Sequence, residues 1–205
     1  GKVMLPVVVF RHARTEGAGY LGTFLEQNHI PWCEVRIDLN EPLPPSAKQF
    51  SGLVFMGGPM SVNDDLPWIP PALALIQEAV AADIPVLGHC LGGQLMSKAL
   101  GGVVAPNQLK EIGWGEVQVT NNDEARRWFG DTKQFLSFHW HGETFTLPNG
   151  ATHLLSSQYC QNQAFAIGKH LAFQCHFEMT EDMVKVWCET GQLELQQSAQ
   201  SPAVQ

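Results

Sequence analysis

The chain predicts an α/β fold in which a parallel sheet is covered on both faces by helices. Two observations predict it. Short apolar runs alternate with longer stretches of helical period, the pattern of strands joined by crossover helices. A length of 205 residues with 44% hydrophobic content suits a single core, and residues 1–190 are expected to form one domain.

Residues 3–10 are nearly all apolar and read as a first strand. Lys2 ahead of this run superficially suggests a secretory leader, but Arg11, His12 and Arg14 follow with no small-residue cleavage site, so a buried strand is expected. A helix follows over 18–29 with Leu21, Phe24 and Leu25 on its inner face, loosened by Gly19 and Gly22. Val35 to Leu39 reads as the second strand, and a proline-rich connection leads to the apolar strand Leu53 to Met56. Gly57-Gly58-Pro59 then forces a turn,.

Ile69 to Ala82 reads as a helix whose paired Pro70 and Pro71 sit in its first turn, where missing donors do little harm. A strand over Ile84 to Leu87 precedes a helix over Leu91 to Leu100, closed by Gly101 and Gly102. Period-two alternation marks further strands at 116–120, 135–139, 165–167 and 171–175,. A last helix is expected over 180–190 with Glu181 and Asp182 in its first turn,. From 191 to 205 the composition turns to Gln, Ser, Ala and Pro, which predicts a disordered tail.

Twelve basic residues against twenty acidic ones give a formal charge of −8, with no basic run. Nucleic acid and anionic membrane are therefore not expected partners, and no apolar run reaches membrane-spanning length. The five cysteines are odd in number and widely spaced, with no C-x-x-C pair, as suits a reducing cytoplasm.

Chemistry concentrates in three segments. Gly88-His89-Cys90-Leu91-Gly92 lies where an apolar strand gives way to a helix. G-x-nucleophile-x-G in that setting is a strand-to-helix elbow that exposes the central side chain. The helix N-terminus is expected to favour the Cys90 thiolate. The bland reading makes Cys90 a small buried residue; the paired glycines favour catalysis.

His176 ends a strand and Glu178 follows two residues on, so an extended chain would place both on one face and complete a triad with Cys90. Acyl transfer also needs backbone donors for the developing oxyanion, and Leu91 after the nucleophile and Gly58 in the glycine turn are the candidates. His139-Trp140-His141 offers two imidazoles at strand spacing. No third ligand stands nearby in sequence, so a structural or substrate-contacting role is expected and no metal.

Taken together, Gly88-His89-Cys90-Leu91-Gly92-Gly93-Gln94, Gly57-Gly58-Pro59 and Phe173-Gln174-Cys175-His176-Phe177-Glu178 resemble a class I glutamine amidotransferase. The segments 58–65, 111–114 and 140–145 resemble stand-alone members related to the glutaminase domain of GMP synthase, and the resemblance runs from about residue 5 to 190.

It implies a flavodoxin-like three-layer sandwich with a mostly parallel sheet. It also implies a γ-glutamyl thioester on Cys90, with His176 as acid and base, Glu178 as its orienter, and Gly58 and Leu91 as the oxyanion hole. Gln94 and the backbone around Trp140 and His141 would hold the glutamine α-amino and carboxylate groups. No cofactor takes part, and ammonia would pass to an acceptor enzyme. The ATP pyrophosphatase loop of full GMP synthase, S-G-G-x-D-S, is not found, so nucleotide synthesis is not expected of this chain alone. Two alternatives accompany this reading: a γ-glutamyl peptidase acting on glutathione-like conjugates, and a non-catalytic binding or regulatory protein.

Overall fold

A computed structural model describes residues 4–188. The expected tail over 191–205 lies outside the described residues. Helix α1 spans Tyr20–Gln27, α2 Ile69–Ala81, α3 Leu91–Ala99 and α4 Asp123–Phe129, and α5 covers 181–188. The strands are β1 Val7–Arg11, β2 Trp32–Arg36, β3 Gly52–Phe55, β4 Val86–His89, β5 Val104–Val119, β6 Gln134–Phe145, β7 Thr152–Ser157, β8 Cys160–Ile167 and β9 His170–Phe173. They form one nine-stranded sheet in the order β2-β1-β3-β4-β9-β8-β7-β5-β6.

The five strands from β2 to β9 pair in parallel, in the order of a doubly wound sheet. Their run of apolar residues follows from burial on both faces. Val7 and Val9 of β1 pack with Leu21, Phe24 and Leu25 of α1 and with Trp187 of α5, while Val8 and Phe10 pack with Ile76 of α2 and Leu95 of α3. Successive side chains thus enter opposite layers, and helices cover both faces.

The other four pairings are antiparallel, which corrects the expectation of a mostly parallel sheet. The flavodoxin-like description fits the parallel half; four further strands enter between α3 and β9. Their pattern differs because one side faces solvent. Ile112, Trp114, Leu136 and Trp140 are all more than half exposed, so β5 and β6 bury residues on one face only. Among the described residues no helix is long and apolar enough to cross a membrane.

Candidate active site at the carboxyl edge of the parallel strands

The parallel strands end together, and the connections that follow them build the site. β4 runs into the elbow. Cys90 takes φ 53° and ψ −108°, a backbone conformation rare for a residue with a Cβ. It is held there by its N–H donating to Phe173 O at 2.8 Å and its carbonyl accepting from Gln94 N at 3.1 Å. A methyl group on Gly88 would stand 2.5 Å from the Gly92 backbone, and one on Gly92 would overlap the Phe55 carbonyl. α3 can approach the ends of β3 and β4 this closely only without those side chains, which is the strain-holding frame expected of an elbow.

The turn after β3 completes one wall. A methyl group on Gly58 would lie 2.8 Å from Met60 Sδ and 3.0 Å from Leu91 Cδ2, so the Gly58 backbone packs against the residue that follows the nucleophile. Gly58, Cys90, Trp140 and His176 line a cavity of about 430 Å³ together with Glu16 and Phe138. A second cavity of about 330 Å³ shares Gly58, Cys90 and Trp140 and is lined also by Leu91, Gln94 and His141. Seven of the eight residues singled out from the sequence therefore surround two adjoining cavities with Cys90 between them.

The eighth, Glu178, sits elsewhere. It is exposed and lines a different cavity, which borders His176 and Glu16 as well as His89 and Met179 but not Cys90. The extended conformation assumed for residues 176–178 does not persist, because β9 ends at Phe173 and Phe177 N–H turns back to Cys175 O at 2.9 Å. No hydrogen bond joins Glu178 to the His176 ring among the described residues. The carboxylate at that ring is Glu16, whose Oε1 is 3.9 Å from His176 Nδ1.

His176 itself is fixed by β6. Its N–H donates to Phe138 O at 2.9 Å in an isolated antiparallel bridge, and Phe138 meets its ring edge-on at 5.8 Å. Burial, followed by the neighbouring His141 and His139, lowers its pKa, leaving the imidazole neutral and able to take a proton.

The Cys90 thiol is pushed up to about 12, first by burial and then by Glu16, against the pull of the Leu91 N–H and the Gln174 side chain. The helix N-terminus does lower it, as expected, but burial wins. Cys90 is held as a thiol beside a neutral imidazole. Its sulfur lies 3.8 Å from Trp140 O and 3.6 Å from Gln174 Nε2.

Gln94 is 5% exposed and donates through Nε2 to Gln174 Oε1 at 2.9 Å and Glu143 O at 3.4 Å, tying α3 to β6. His141 Nδ1–H donates to Glu143 O at 2.7 Å, and Nε2 lies 2.7 Å from Glu111 Oε1. Glu111, in the 111–114 segment, has no site role in the sequence reading. Thirty residues separate it from His141, and only the β5–β6 register, which places the two opposite each other, brings them together. Burial works against its charge, yet bonds from His141 and Ser157 hold its carboxyl below the usual range.

A cysteine in a strained elbow with an imidazole on the same cavity can carry acyl transfer. Comparison with known proteins gives the family. The model of the family described as glutamine amidotransferase class-I matches residues 25–184. A glutamine amidotransferase-like protein of Salmonella typhimurium, YfeJ, is 32% identical over 191 residues, covering 90% of this chain and 80% of that protein. Gamma-glutamyl peptidase 3 of Arabidopsis thaliana is 29% identical over 175 residues, covering 80% and 69%. The crystal structure of a glutamine amido transferase from Methylobacillus flagellatus superposes with a TM-score of 0.84 at 46% identity, covering 91% of this chain and 76% of that one.

Proposed function

Because the chain belongs to the class I glutamine amidotransferase family, we propose that it hydrolyses γ-glutamyl amides, glutamine first among them, through a thioester on Cys90. The observation that carries this reading is the shared cavity floor of Cys90, Gly58 and His176. His176 takes the Cys90 proton as sulfur bonds to the γ-carbonyl carbon. The carbonyl electrons move onto oxygen, where the Gly58 and Leu91 N–H groups receive the charge.

Collapse of this intermediate breaks the C–N bond, and the protonated His176 delivers its proton to the departing amine, released as ammonia from glutamine. His176 then takes a proton from water. Water attacks the thioester, glutamate leaves and the thiol is restored. Gln94 and the backbone around Trp140 and His141, on the second cavity, are assigned to the glutamyl α-groups, and Glu178 to orienting His176. Ammonia passes to an acceptor enzyme in this scheme. No step needs a cofactor.

A second reading rests on the space around the sulfur. Cys90 opens onto two cavities rather than one closed chamber, which leaves room for an amine larger than ammonia and supports γ-glutamyl peptidase activity on conjugates. Incubation with glutamine and with a panel of γ-glutamyl amides, following glutamate and the released amine, tests both. Turnover that survives Cys90→Ala would overturn the thioester route, and preference for one bulky amine would select the second reading.

A further inference from the structure

The buried face of the β5–β6 ladder carries a cluster for which the proposed reaction has no chemical use. One nitrogen or oxygen each of Glu111, His139 and His141 lies within 4.8 Å of the others. Glu111 opposes His141 across the ladder, and Gly113 opposes His139, so all three side chains rise on one face.

The supports are those of a metal-binding set. His141 Nδ1 is on Glu143 O at 2.7 Å and His139 Nε2 is on Gly115 O at 3.3 Å, so each ring has one nitrogen on a backbone carbonyl; of the other two, His141 Nε2 is on Glu111 Oε1 and His139 Nδ1 is without a hydrogen-bond partner. Ser157 Oγ at 2.8 Å and Gln163 Nε2 at 2.7 Å hold the Glu111 oxygens. Such outer partners orient ligands and fix tautomers.

A simple buried ion pair accounts for Glu111 and His141 but not for His139. His139 is 2% exposed, yet its Nδ1 has no hydrogen-bond partner, an arrangement that costs on the order of 1–3 kcal/mol. Access is open as well. A groove of about 680 Å³ runs along Glu111, Gly113, Gly115, His139 and Ser157, and the absent side chain at Gly115 matters, since a methyl group there would stand 3.1 Å from the His139 ring.

We propose that Glu111, His139 and His141 bind a transition-metal dication of the Zn²⁺, Co²⁺ or Fe²⁺ class, with the remaining coordination positions facing the groove. Two imidazoles and one carboxylate suit these ions and disfavour Ca²⁺ and Mg²⁺. The ion replaces the proton bridging His141 Nε2 and Glu111 Oε1, so uptake releases a proton. His141 also lines the cavity beside Cys90, and a bound ion would brace that wall. The proposal is independent of the thioester chemistry.

The test uses the full chain with Cys90→Ser, which removes the reactive thiol, and Co²⁺ as the probe. Calorimetry is expected to give one Co²⁺ per chain, with visible d–d absorption and no sulfur-to-cobalt charge-transfer band. His139→Asn, chosen because Nδ1 holds no partner, should weaken binding by about tenfold or more and abolish the rise in Tm that Co²⁺ gives the parent. Glu111→Gln is the second variant, checked for folding by circular dichroism. Absence of binding up to millimolar Co²⁺, equal affinity in His139→Asn, or a charge-transfer band placing the ion on a cysteine would each overturn the proposal.

Discussion

Glu16 Oε1 stands 3.9 Å from His176 Nδ1, and the same carboxylate raises the Cys90 thiol. It is held close by the turn after β3, where a methyl group on Gly57 would come within 3.1 Å of the Glu16 carboxyl carbon. Glu16 therefore acts on both partners of the proton transfer, favouring a protonated His176 and disfavouring the Cys90 thiolate.

Glu16→Gln removes that charge at a partly exposed site, an interaction of about 1 kcal/mol. Alkylation of Cys90 by iodoacetamide at pH 8 should quicken by about fivefold, and the acid limb of the kcat profile should move to lower pH as His176 loses its neighbour. An unchanged alkylation rate and an unmoved limb would show that the carboxylate is idle.

The orienting role assigned to Glu178 makes a separate prediction. Glu178→Gln should lower kcat by about tenfold or more with KM little changed. Full activity in this variant would leave Glu16 as the carboxylate that matters to His176.

The elbow depends on close backbone approach. Gly92→Ala drives a methyl group into the Phe55 carbonyl and Gly88→Ala drives one into the Gly92 backbone; backbone cannot yield as a flexible side chain can. Urea unfolding should show losses of about 1–3 kcal/mol or more, larger than for Gly142→Ala, whose nearest neighbour is the Lys110 side chain at 3.4 Å. Equal stability of all three variants would remove the packing argument.

Acid should weaken the fold before the carboxylates titrate. Burial lowers His12 and His170 to about 4, and His170 Nδ1 accepts the Val86 N–H at 3.2 Å, which only a neutral ring can do. The unfolded chain takes up these protons near pH 6.5 and the folded chain does not. The stability they support is complete above about pH 6.5 and is lost progressively toward pH 4. Tm should fall over that interval, and His170→Asn should flatten part of the fall; a Tm constant from pH 7 to 4 would contradict this.

The parallel half of the fold was legible because both its faces are buried, and strands such as Val7–Phe10 are then continuous apolar runs. The sequence places β2 late, at 35–39, because Ile37 and Leu39 alternate with Asp38 as in a strand, whereas residues 37–39 form a 3-10 turn. The lengths of β5 and β6 were not legible. Gly113, Gly115 and Pro106 interrupt β5, and its exposed face carries Ile112 and Trp114, so alternation is visible only at one end. α4 did have a usable signal: Asn122 caps it by accepting the Ala125 N–H at 2.7 Å, ahead of Asp123 and Glu124,.

The candidate site divides in the same way. The elbow and the glycine turn are local motifs, and they carry their geometry with them. The relation of His176 to its carboxylate depends on where the chain turns after β9, and Glu111 reaches His141 only through the β5–β6 register. Glu16 comes from the loop after β1, with only the convergence of strand ends to bring it to the site.

The most direct test of Cys90 as nucleophile is covalent capture. The folded chain is incubated with a diazoketone analogue of glutamine and read by intact mass and peptide mapping. One adduct on Cys90, absent after Cys90→Ala and slowed by glutamine, is the predicted result. No adduct, or one confined to the exposed Cys33, would contradict the account.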